Sequence, residues 1–194
     1  MKFLRKTLAA ITASLILGTS AYAQSAAVPI QDTDPVLVFN RVCYAQVPVV
    51  ENIRKLSAEM AWNPMGGEDL KQFTALETPD VLEGWDVKIA QRLYRLGVVQ
   101  SKPSEVFNKN FPDFKGGVAT ACTLILDGED EADVILKRMN SLARKEPNSE
   151  NVDDGTLLTT TWSGGNEDFK VFLFMKSNKF NKANLLNVTI LSKE

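Results

Sequence analysis

The run 118–126 limits the architecture more than any other part of the chain. Val118, Thr120, Cys122, Leu124 and Leu126 alternate with Ala119, Ala121, Thr123 and Ile125. Both sets are apolar or small, which suits a strand covered on at least one face. Asp127-Gly128 then reads as a turn, and Glu129, Asp130, Glu131 and Asp133 fall where a helix begins. Carboxylates there complement the free N–H groups and the positive end of the helix dipole. Ala132, Ile135, Met139 and Leu142 make a stripe at helical spacing, with Leu136 and Ala143 beside it. Lys137, Arg138, Arg144 and Lys145 gather at the other end, and Pro147 stops the helix. Residues 117–144 are therefore expected to form a strand, a tight turn and a capped helix. The acids at 127–133 lack the alternate spacing, central glycine and distal glutamate of a calcium loop, so helix capping is the expected role.

The flanking segments fill out a sheet. Residues 156–162 are rich in β-branched side chains, and Ser163-Gly164-Gly165-Asn166 reads as a turn. Residues 169–175 place Phe169, Val171, Leu173 and Met175 on one face and Phe172 and Phe174 on the other. A loop is expected over 177–184 and a last strand over 185–191. Upstream, Asp34 caps a helix that has Pro35 in its first turn and carries Val36, Phe39 and Cys43 on one face. Pro48 opens a second helix with Val49, Ile53, Leu56 and Met60 as its stripe. Residues 63–67 break it, and a short helix is expected over 68–76. Residues 81–99 fit either a helix or a hairpin turning near Gln91-Arg92. The β-rich content favours the hairpin, with Gly84 and Gly97 as its edges. Residues 101–117 are expected as a long loop tucked down by Val106, Phe107, Phe111 and Phe114, and 146–155 as a polar connection. The fold class is thus α+β: one domain over 34–194, an antiparallel sheet of about five or six strands with N-terminal helices and one central helix packed on it.

The N-terminus carries an export pattern. Lys2, Arg5 and Lys6 precede an apolar stretch at 8–17, and Ala21-Tyr22-Ala23 has the small-residue spacing of a cleavage site. Residues 1–23 are expected to be a signal peptide cleaved before Gln24, followed by a leader over 24–33. The mature chain has no other apolar run long enough to span a bilayer, so a periplasmic or secreted protein is expected. The two cysteines, Cys43 and Cys122, fit an oxidising compartment and are expected to pair.

Composition narrows the chemistry. The sequence has 22 basic and 24 acidic residues, and loss of Lys2, Arg5 and Lys6 leaves 19 against 24. That balance disfavours general binding to nucleic acid. Histidine is absent, which removes Ser-His-Asp and Cys-His catalysis and histidine metal sites. No phosphate loop, dinucleotide fingerprint or nucleophile elbow occurs, and no catalytic, cofactor or metal residue is assigned. Hydrolysis by paired carboxylates stays open in principle, although no spacing singles out a pair.

Three features suit binding. Leu157, Phe172, Phe174 and Leu191 form a candidate partner face, which could also serve a second copy of the chain. Lys176, Lys179, Phe180 and Lys182 form a candidate basic loop for an anionic surface. Trp162, beside Ser163-Gly164-Gly165, is the candidate for ligand stacking. Asn187-Val188-Thr189 matches a glycosylation sequon inside an expected strand, and is discounted. The expected function is that of an exported, non-enzymatic binding protein for an envelope partner or a small ligand. The alternatives are a carboxylate-dependent cell-wall or glycan hydrolase and a secreted inhibitor or effector.

Overall fold

The computed structural model describes residues 34–74, 79–89 and 91–193. The expected signal peptide and leader lie outside the described residues, as do residues 75–78, which include the end of the short helix expected over 68–76.

Strand alternation dominates the chain, and the outcome is one open antiparallel sheet of eight strands, ordered β1-β2-β3-β4-β8-β7-β6-β5. The strands are β1 (Asn63–Pro64), β2 (Val81–Ile89), β3 (Arg92–Ser101), β4 (Val118–Ile125), β5 (Ser149–Asp153), β6 (Leu158–Gly165), β7 (Phe169–Ser177) and β8 (Ala183–Ser192). The class is mixed helix and strand as expected, but five or six strands was too few. The two extra strands are the edges. β1 has two residues and β5 has five, all exposed. Polar segments this short carry no alternation for sequence to reveal, and they pair only because β2 and β6 offer free edges.

The strand β4 sits centrally, between β3 and β8. Its register puts Val98, Cys122, Val188, Leu173 and Trp162 in one row across β3, β4, β8, β7 and β6. All five are buried. This face is covered by α1 (Pro35–Phe39), a π-helical turn (Asn40–Tyr44), α2 (Val50–Glu59) and α4 (Ala132–Ala143). Asp34 caps α1 as expected, its Oδ1 accepting from the Val36 amide at 3.0 Å. The sulfurs of Cys43 and Cys122 are 2.06 Å apart, so a disulfide ties the π-helical turn to β4. A second clamp joins α2 to β2, where the Arg54 guanidinium donates to both carboxylate oxygens of Glu83 at 2.9 Å.

Residues 81–101 form a hairpin, as the alternation favoured. Gly84 and Gly97 are not its edges, however: they face each other in mid-strand. A Cβ at Gly97 would lie 2.2 Å from the Phe73 ring, and one at Gly84 would lie 2.8 Å from Leu70. The glycine pair is a flat window on which the 3-10 helix Gly67–Phe73 rests. The expected loop at 101–117 is also corrected. It contains α3 (Glu105–Asn110), capped by Ser104, and a 3-10 turn (Pro112–Phe114). These short helices lie on the second sheet face, with Phe107 and Phe111 5.6 and 5.4 Å from Phe172. The acids at 127–133 do more than begin α4. Asp127 and Asp130 both hold Arg92, and Arg92 keeps the Asp127 carboxyl below the usual carboxylate range. No helix among the described residues is long and apolar enough to cross a membrane.

Candidate functional site

Of the three features read from sequence, two are differently placed than expected. Leu191 is fully buried, and Phe172 is packed by Phe107 and Phe111, so these do not form an open apolar face. Phe174 stacks on Phe172 with ring centroids 6.4 Å apart and is half-buried, as is Leu157. Phe107 of α3 and Phe111 just after it supply the cover, so two of the aromatics expected to tuck 101–117 onto the body land on this face. The basic loop is neutralised by neighbours distant in sequence. Lys176 pairs with Asp154 at 3.1 Å, Lys179 with Asp153 at 2.9 Å and Lys182 with Glu131 at 2.6 Å. Phe180 remains 86% exposed at the tip.

Trp162 is only 1% exposed, yet it lines a cleft. Its indole N–H donates to Asn140 Oδ1 at 2.9 Å, which satisfies the buried donor and anchors α4 to β6. Two residues further along β6, Gly164 faces Val171 across the ladder. A Cβ at Gly164 would meet no atom within 4 Å. The missing side chain leaves space beside Trp162, and that space is a cleft of about 320 Å³ lined by Tyr44, Trp162, Gly164, Phe169 and Val171, with Lys145 and Asn166 at its rim. A second cleft of about 600 Å³ shares Tyr44, Phe169 and Val171 with the first. Val47, Pro48 and Ile190 extend it, and Asp168 and Ser192 bound it. The two form one trough over the end of the sheet where the helical cover stops.

Local chemistry fixes each wall. Tyr44 follows Cys43 in the π-helical turn, so the disulfide holds it against the sheet. Phe169 is aimed by a tight turn: Asn166 Oδ1 accepts from the Asp168 and Phe169 amides at 2.8 and 3.1 Å. Gly165 has φ of 121°, and a Cβ there would sit 2.2 Å from the Phe169 carbonyl oxygen, so only glycine suits this position. Lys145 is delivered by the end of α4. Arg144 takes a left-handed conformation, φ 55°, and the Lys145 amide returns to the Asn140 carbonyl at 3.3 Å. Its ammonium then reaches across β6 and donates to the Ser163 carbonyl oxygen.

The Ser163 hydroxyl donates to Asn148 Oδ1 at 3.1 Å. Among the described residues no three Asp, Glu or Cys side chains converge as a metal-ligand set. Sequence pointed to Trp162 but missed Tyr44, Phe169, Val171 and Lys145, because they come from three separate segments that only the fold brings together. No family model matches the chain, and neither a curated protein nor a solved structure matches it.

Proposed function

We propose that this is an exported, non-enzymatic binding protein that holds a small, largely apolar ligand in the trough between Tyr44, Trp162, Phe169 and Val171. The observation that carries this reading is the trough itself. It has aromatic and aliphatic walls, few polar groups at its rim and a volume in the range of small-molecule sites, roughly 300–1,000 Å³. Export rests on the N-terminal pattern, and a buried disulfide is compatible with it.

The test uses the mature chain and the neutral probe N-phenyl-1-naphthylamine, which fluoresces on entering an apolar site. The native protein should bind it saturably. Gly164→Leu should keep the melting temperature and lose the binding, because a Cβ there meets no atom within 4 Å and the rest of the side chain would extend into the trough. Equal probe binding by the native and Gly164→Leu proteins would place the ligand elsewhere.

A further inference from the structure

The trough differs in charge at its two ends. At one end Asp168 lies beside Pro48 and Ser192. At the other, the Lys145 ammonium makes no ion pair with a carboxylate among the described residues. The carboxylate of its neighbour Glu146 accepts instead from Asn140, through Oε2 at 2.8 Å. An ammonium has three N–H donors, and the Ser163 carbonyl takes one of them. Lys137 and Arg144, also without carboxylate partners among the described residues, line the polar groove that continues outward from Lys145, where three cationic side chains stand with the single carboxylate of Glu146. Tyr44, common to both halves of the trough, makes no hydrogen bond through its hydroxyl among the described residues.

Resting on the binding function proposed above, we infer that the ligand is an anionic amphiphile, with a carboxylate or phosphate head at Lys145 and an aliphatic tail running past Phe169 and Val171 toward Pro48. The tail meets apolar wall over its whole length. The head receives the spare Lys145 donors in the positive field of Lys137 and Arg144. Asp168 sets the orientation, because it repels an anion from the opposite end. The head stays at the rim, where water still reaches it, so the charge is not stripped of solvent as a buried ion would be.

The experiment is displacement of N-phenyl-1-naphthylamine from the mature chain at pH 7 by decanoate, decyl phosphate and decanol. These share a tail and differ only in the head. A charge-assisted hydrogen bond at such a rim is expected to make an anion bind about tenfold more tightly than the alcohol. Whichever of decanoate and decyl phosphate displaces more strongly names the head. Lys145→Gln removes the charge and keeps a shorter polar side chain, and should bring decanoate and decyl phosphate down to the affinity of decanol, each measured against that variant's own probe affinity. Equal affinities in the native protein would overturn the anionic head and leave the trough as the binding site. A native protein that binds no probe would instead overturn the site itself.

Discussion

The indole N–H of Trp162 donates to Asn140 Oδ1 at 2.9 Å, so one hydrogen bond joins the last turns of α4 to the floor of the trough. Asn140→Ala would leave a buried donor without a partner, which costs about 1–3 kcal/mol. Asn140→Asp/Glu146→Gln, which keeps the acceptor for the indole and lets the amide at 146 donate to the new carboxylate, should lose less. Urea denaturation of the two variants checks the order. A cost for Asn140→Ala no larger than that for the double variant would show that the bond contributes little.

The Cys43–Cys122 bridge spans 79 residues of sequence. In the chain-entropy account, a loop of this length is worth about 4 kcal/mol. Cys43→Ala/Cys122→Ala should therefore lower stability by several kcal/mol, and loosen Tyr44 enough to weaken probe binding. Intact mass under non-reducing conditions should lie about two units below the dithiol form, consistent with one disulfide bond. Two alkylatable thiols in the native protein would refute the bridge.

Acid should weaken the loop between β5 and β6. Asp154 is lowered to about 2 because the Leu157 and Thr156 amides donate to its carboxylate, with a further contribution from Lys176. The folded state then holds this carboxyl ionised at pH values where the unfolded chain protonates it. The resulting stability is present above about pH 4, and is lost as pH falls toward 2. Asp154→Asn should therefore narrow the gap between urea midpoints at pH 5 and pH 3. It should not abolish it, since Asp127 and Asp153 are also lowered, by Arg92 and Lys179. An unchanged gap would remove Asp154 from the account.

The glycine window makes a packing prediction. Gly97→Val places atoms where the Phe73 ring now lies, and overpacking of this kind costs about 1–3 kcal/mol. Limited proteolysis should become faster within Gly67–Phe73. Adding Phe73→Ala removes the clash, so the double variant should be more stable than the two single effects predict by addition. Simple additivity would mean that Phe73 does not hold the 3-10 helix to the sheet.

What the sequence determined by itself is what repeats with a local period or is set by one residue's chemistry. The alternation at 118–126 and 169–175 gave the inner strands, Asp34-Pro35 gave the start of α1, and the stripe from Ala132 gave α4. Two cysteines in a chain with an export pattern gave the disulfide. Tertiary structure decided the rest, because those features depend on neighbours far away in the chain. Ser149–Asp153 is a strand only because β6 has an edge to pair with. Phe172 is covered only because Phe107 and Phe111 fold onto its sheet face. Lys179 is neutral in effect only because Asp153 stands opposite it. The trough needs Tyr44, Lys145, Gly164 and Phe169 at one place. Each is an ordinary residue in its own segment, and long-range packing makes them a site.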